Sequence, residues 1–353
     1  MKTGPPCSLL LLIVALLHPG LAAISCRNEL GQQVDWFAVY KLPRHVEHRA
    51  GGLGLTYIYL DPSMKDWQKG KYLVNVTESA VGRTLQQLYS AYTSKVNDSA
   101  YFIYNDAAPW MPYDPDHGHT KGVLMFDRVQ GFWLMHSVPN FPPGVEQGYS
   151  WPNSGRRNGQ SFLCVTIPYH QVAEIGDQLS YSNPQVYNWT LPHLFLPELS
   201  HLQIVAKGGS LARIPWIRRA KLMTTGGVSF QSFAKYKLLG DDIYAAWVAQ
   251  SLGTDLLVQS WRRGKHVLPS NCSLPKHVYN VDMLELPGPA LFNTRQDHSK
   301  WCVSPRPARG WFCIADLNRT PWQMWRSGGL LCTQNPSLYR AFRKLVSHYK
   351  NCS

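Results

Sequence analysis

Two short stretches of this 353-residue chain set acid–base and cationic side chains at the same spacing: His119-Thr120-Lys121 in HTKG and His298-Ser299-Lys300 in DHSKW. In both, a Gly-aromatic-aromatic trio begins ten residues after the lysine, at Gly131 and at Gly310. A lone His-x-Lys is ordinarily a solvated strand edge. Two copies in matching surroundings point instead to a duplicated unit. A second match agrees in order: Phe37 to Leu42 (FAVYKL) and Phe233 to Leu238 (FAKYKL) share five of six residues. If the halves meet about a pseudo-twofold axis, two imidazoles and two ammonium groups converge on one small anion. A phosphodiester is such an anion: the lysines neutralise its non-bridging oxygens, one histidine attacks phosphorus and the other protonates the departing oxygen. That scheme requires no metal.

The surrounding residues say what must hold these groups. His119 to Phe126 is mostly apolar, Asp127 to Gly131 is turn-like and Gly131 to Val138 is aromatic and apolar, which together read as a hairpin of buried strands. On a strand, residues i and i+2 share a face, so His119 with Lys121, and His298 with Lys300, point the same way. One step further, Cys302 falls where Val123 lies in the other copy. Cys302 is therefore expected in a small apolar slot as an unpaired thiol, with a structural disulfide as the competing reading. Helix-spaced apolar residues run from Arg83 to Lys95 and from Ser337 to Lys350, and Asp241-Asp242 precedes an apolar stretch as an N-cap would. The mixture predicts an α/β fold with mixed sheets and helices. Its organisation reads as a leader at 1–22, an N-terminal half at 23–220 and a C-terminal half at 221–353, each contributing one His-x-Lys.

The first 22 residues combine a basic start, an apolar core and small residues, the pattern of a secretory signal peptide. No later run approaches the roughly 20 apolar residues of a membrane helix, so no transmembrane segment is expected. Cys26, Cys164, Cys272, Cys302, Cys313, Cys332 and Cys352 remain after the leader, an odd set in an oxidising route. Sequons at Asn75, Asn97, Asn188 and Asn271 predict glycans, and those at Asn318 and Asn351 are poorer acceptors beside Pro321 and the chain end. The formal charge of +13 favours a polyanionic partner, with Arg156-Arg157 among the basic clusters. DPDHGHT, Asp114 to Thr120, offers a rival metal reading, but Lys121 on the face of His119 repels a cation and no HExxH or EF-hand pattern is present. Trp133, Trp301 and Trp311 offer stacking surfaces near the motifs, with core packing the plainer reading.

Across almost the whole chain, VDWFAVYKLP, GHTKG, GFWLMHSVPNFPP, FQSFAK with a following DD, LPSNCS and DHSKWC resemble, in order, the deoxyribonuclease II family. The paired motifs are similar to those of the phospholipase D superfamily. The resemblance implies a phospholipase D-like pseudo-dimer and an acid endonuclease that cuts DNA without a divalent cation or other cofactor. It leaves 3′-phosphate and 5′-hydroxyl ends, in lysosomes or after secretion. It casts His119 and His298 as nucleophile and general acid, Lys121 and Lys300 as phosphate ligands, and Asn140 and Asn318 as the polar residues downstream of each lysine; the basic pair Arg156-Arg157 is a further expected substrate contact by its charge. It also implies disulfides Cys26–Cys164, Cys272–Cys352 and Cys313–Cys332, with Cys302 left over. The superfamily aspartate downstream of each lysine has no match at its fixed interval: Asp127 sits one residue late and the second copy has none. An inactive secreted polyanion-binding glycoprotein and a phospholipid phosphodiesterase are the alternatives, and the sequence does not distinguish a monomer from a homodimer. Near pH 5 an unperturbed imidazole is only about 3% neutral, so an attacking histidine needs neighbouring cations to lower its pKa.

Overall fold

The apolar runs around the two His-x-Lys stretches are buried on both faces, as uninterrupted hydrophobic strands must be. The computed structural model describes residues 23–47, 52–95, 97–263, 266–288 and 290–352, and the expected leader lies outside them. In the first half, β1 (Trp36–Lys41), β2 (Ala100–Asn105), β3 (Lys121–Phe126), β4 (Gln130–His136) and β5 (Gln160–Pro168) lie in the order β2-β3-β4-β5-β1, every neighbour antiparallel. In the second, β6 (Ser229–Lys235), β7 (Leu256–Gln259), β8 (Trp301–Val303), β9 (Phe312–Ala315) and β10 (Gly328–Thr333) repeat that ladder as β7-β8-β9-β10-β6. The mixed α/β expectation holds.

The registers fix which residues correspond. Gly122 faces Met135 as Trp301 faces Ile314, and His136 faces Phe162 as Ala315 faces Leu330. Lys121 is then level with Lys300, Val123 with Cys302 and Ser137 with Asp316. Carried across to β1 and β6, Lys41 opposite Gln160 matches Lys235 opposite Gly328. The FAVYKL and FAKYKL match is therefore two residues out of register, since it set Lys41 against Lys237. A two-residue slip keeps every side chain on its own face, so the hydrophobic pattern conceals it. Lys41 and Lys235 are both buried, and each ammonium donates to an equivalent carbonyl, that of Arg156 at 3.0 Å and that of Met324.

One apolar core is shared by the inner faces of both sheets, with Trp36, Tyr40, Trp301 and Phe312 among its members. Burying each such side chain contributes on the order of 2 kcal/mol. Helices α2 (Val172–Ser182) and α3 (Pro336–Leu345) pack into it, while α1 (Ala80–Ser94) covers the outer face of the first sheet. Ser79 caps α1, accepting from Gly82 N–H at 3.0 Å. Asp242 caps the helical segment that starts at Ile243.

The helix expected from Ser337 to Lys350 ends at Leu345, and Val346–Lys350 is a strand on Val278–Leu286. The edge of that strand needs a backbone partner, which helical periodicity cannot reveal. Strand Ile217–Met223 crosses residue 220, the expected limit of the first half, and pairs within the second sheet. Three disulfides join Cys26–Cys164, Cys272–Cys352 and Cys313–Cys332, and Cys302 is buried and free. Among the described residues no helix is long and apolar enough to cross a membrane.

Candidate active site

Each histidine stands on the extended segment just before its strand, β3 or β8, and is held by the opposite half. His119 donates its backbone N–H to Ser327 O at 2.9 Å and its Nδ1–H to Asp316 O at 2.7 Å. His298 donates its N–H to Gly159 O at 2.9 Å and its Nδ1–H to Ser137 O at 2.7 Å. Ser137 and Asp316 directly follow β4 and β9, while Gly159 and Ser327 directly precede β5 and β10. The four bonds therefore exchange under the same pseudo-twofold relation as the ladders. A carbonyl only accepts, so each Nδ1 keeps its hydrogen and each Nε2 is left for a substrate.

His119, Lys121, His136, Ser137, Lys300 and Asp316 line a narrow crevice between the halves. Lys300 Nζ donates to His298 O at 2.6 Å, and Lys121 Nζ pairs with the carboxylate of Asp106. Burial lowers the His119 pKa to about 3; Asp106 opposes this, and Lys121, Lys300 and Arg326 add to it. Burial, then Lys300, holds His298 well below the usual imidazole range. Burial, then Lys121, depresses the Lys300 ammonium in turn. Lys121 and Lys300 both add to the burial that keeps the two imidazoles neutral, so an anion placed against the lysines favours imidazole protonation.

Four participants were not singled out in the sequence. Asp106 is buried, yet Lys121, His119 and Arg326 outweigh burial and keep its carboxyl well below the usual range. Asp106 Oδ2 lies 3.7 Å from His119 Nε2 and 3.6 Å from Arg326. By ladder register the residue level with Asp106 is Trp261, whose ring meets His298 edge-on with centroids 4.7 Å apart. The two imidazoles therefore have unlike neighbours, one carboxylate and one indole. His136 accepts from Val138 N–H at Nδ1 (3.2 Å), so its neutral ring carries hydrogen on Nε2, which is buried without a partner. Burial, reinforced by Lys121, lowers its pKa to about 3. Asp316 is pushed up to about 7 by burial, partly offset by Gly329 N–H and Lys121. Only the fold brings these residues to the crevice or to its histidines, because none lies within the His-x-Lys pattern and His136 has only Ala315 level with it in the second copy.

Asp297, the residue before His298, is a buried strut: it accepts from Tyr40 Oη, from Ser299 Oγ at 2.7 Å and from Ser299 N–H at 3.1 Å. It fixes the segment that presents His298.

The sequence has known relatives. A family model described as Deoxyribonuclease II matches residues 25–352. The chain belongs to the deoxyribonuclease II family. Deoxyribonuclease-2-beta of Homo sapiens is 49% identical over 94% of this chain and 93% of its own length. Deoxyribonuclease-2-alpha of Mus musculus is 44% identical over 97% of each, and Plancitoxin-1 of Acanthaster planci 34% over 98% of this chain and 97% of its own.

For this family member, the further residues expected at the substrate lie outside the lining of the crevice. Asn140 has φ +58° and turns its amide to Ala107 O at 3.1 Å. Asn318 Oδ1 accepts from the Trp261 backbone N–H at 2.9 Å and so anchors the residue whose indole meets His298. Arg156 and Arg157 line an open cleft that adjoins the His298 side of the site. Asp127 caps its own turn, accepting from Val129 and Gln130 N–H. Asn97 is exposed, and Asn75, Asn188 and Asn271 are half-buried. Among the described residues no three His, Cys, Asp or Glu side chains are grouped to hold a metal ion, and Asp116 pairs with Lys237 at 2.8 Å. Trp133, Trp301 and Trp311 are buried and belong to the core.

Proposed function

We propose that this chain is an acid endodeoxyribonuclease that hydrolyses DNA phosphodiesters without a divalent metal, leaving 3′-phosphate and 5′-hydroxyl ends. It works in lysosomes or after secretion. The observation that carries the reading is the reciprocal pair of Nδ1–H donations, His119 to Asp316 O and His298 to Ser137 O, which leaves two Nε2 atoms for one substrate. Relatives named deoxyribonuclease-2 supply the substrate class.

The lysines and the His136 Nε2–H bind the non-bridging oxygens. His119 Nε2 attacks phosphorus, forming a P–N bond as the P–O5′ bond breaks, and His298 Nε2–H protonates the departing 5′-oxygen. In the second step water attacks phosphorus, gives a proton to His298 and releases His119 with the 3′-phosphate. A direct acid–base route through an internal hydroxyl needs a 2′-OH, which DNA lacks. The test is conversion of supercoiled plasmid at pH 5 in EDTA, with trapping of a phosphorylated chain. Salt-sensitive DNA binding with no cleavage would assign the chain to polyanion binding, and turnover of phosphatidylcholine instead of DNA would assign it to lipids.

A further inference from the structure

The pseudo-twofold centre has unlike flanks. Beside His298 lies an open cleft of about 1290 Å³ whose lining includes Arg44, Arg156, Arg157, Arg263 and Arg295. It borders the site through short connections: Gly159, two residues after Arg157, accepts from His298 N–H, and Arg295 O accepts from Trp261 Nε1–H at 3.2 Å. Arg263 lies over the Trp261 ring at 5.9 Å. Among the described residues none of these five arginines forms an ion pair, and Arg156 Nε is cut off from solvent with no partner. Glu47 also lines the cleft, but its oxygens are taken by Gly54, Leu55 and Thr56 N–H and by Thr56 Oγ1. Guanidinium groups without counter-ions suit phosphates, which they bind in bidentate fashion.

The corresponding loop beside His119 differs. The carbonyls of Arg156 and Met324 accept from the equivalent ammonium groups of Lys41 and Lys235, so Trp325 stands where Arg157 stands in the first half. Trp325 directly follows the short helix Pro321–Met324 and is 61% exposed, and Trp322, within that helix, is 81% exposed. Indole faces in solvent beside a phosphate site suit stacking of unpaired bases, an interaction tolerant of sequence.

We propose that the arginine cleft holds the backbone phosphates on one side of the scissile bond and the helical turn bearing Trp322 and Trp325 stacks bases on the other. The nearly symmetric centre then accepts a DNA strand in a single direction. This rests on the nuclease reading. The test uses short single-stranded oligonucleotides with one ionised scissile diester, in which methylphosphonates neutralise either the 5′ or the 3′ flank. The wild type is expected to show a KM at least tenfold higher when one particular flank is neutral. Arg156→Gln with Arg157→Gln and Arg295→Gln should erase that preference and lower the slope of log affinity against log salt by about one for each phosphate no longer neutralised. Trp322→Ala with Trp325→Ala should raise KM several-fold with the salt slope retained. Equal sensitivity to both flanks, or a preference that survives the arginine changes, overturns the proposal. Cleavage by the wild type of neither the fully ionised oligonucleotide nor bis(4-nitrophenyl) phosphate would instead sink the nuclease reading.

Discussion

His119 donates its Nδ1–H to the carbonyl of Asp316, 197 residues away in the other half, at 2.7 Å. His298 does the same with Ser137 O. Neither half can orient its own imidazole, so the site exists only where the two sheets meet, and a disturbance of either partner loop reaches the histidine opposite.

Both histidines are therefore indispensable. His119→Ala and His298→Ala should each lower plasmid cleavage at pH 5 by at least about 10³-fold, the scale of a lost nucleophile or general acid. Circular dichroism should match the wild type. More than a few per cent of activity in either folded variant contradicts a shared site.

His136 stays neutral and aims an unpartnered Nε2–H into the crevice. Its ring stacks on Phe162 and meets Phe141 edge-on, so His136→Phe keeps the packing and removes the donor. The expected loss is about 10²-fold in kcat, as for other fixed oxyanion donors. Wild-type kcat in this variant would confine His136 to the core.

Asp316 links stability to pH. Its folded pKa, raised to about 7, favours the protonated folded state, so that contribution is present below the ordinary carboxyl pKa and lost as pH rises through 7. Above pH 7 the penalty is on the order of 4 kcal/mol. Asp316→Asn should remove it, raising Tm at pH 8 more than at pH 4. Equal shifts at the two pH values would show that the carboxyl ionises normally.

The depressed histidines work in the opposite sense: His119 and His136 at about 3 favour the neutral folded state, stability present above about 6.5 and lost as pH falls toward 3. A bound anion lifts the pKa of His119 and His298. Inorganic phosphate should accordingly raise Tm more at pH 5 than at pH 8, with proton uptake measurable by calorimetry in two buffers. A phosphate effect independent of pH would separate the anion from the histidines.

Cys302 is level with Val123 and lies directly across from Cys313 of the Cys313–Cys332 disulfide, with burial pushing its thiol pKa up. Cys302→Val should cost less than about 1.5 kcal/mol, as volume-conserving apolar exchanges do. One thiol should react with a chromogenic disulfide reagent, and only after unfolding. Rapid reaction in the native protein would place Cys302 at the surface.

Much of the centre was legible in the chain because it is written twice. The paired His-x-Lys stretches, each followed by glycine and two aromatics, marked both imidazoles, two lysines and the hairpins behind them, three of these side chains lining the crevice, and the apolar setting of Cys302 followed from its correspondence with Val123. Reading FAVYKL against FAKYKL set Lys41 against Lys237 because strand periodicity is blind to a slip of two. The tail after Leu345 read as helix because its partner strand is distant in sequence. What the sequence alone determined was local and repeated: residue types, their spacing and alternation of faces. What only the tertiary structure decided was which carbonyl meets each Nδ1, which histidine stands beside Asp106 and which beside Trp261, and which flank carries arginine. Those depend on desolvation and on packing between the halves, and burial is the largest cause that moves the pKa values of His136, Asp316 and Lys300 from those of their residue types.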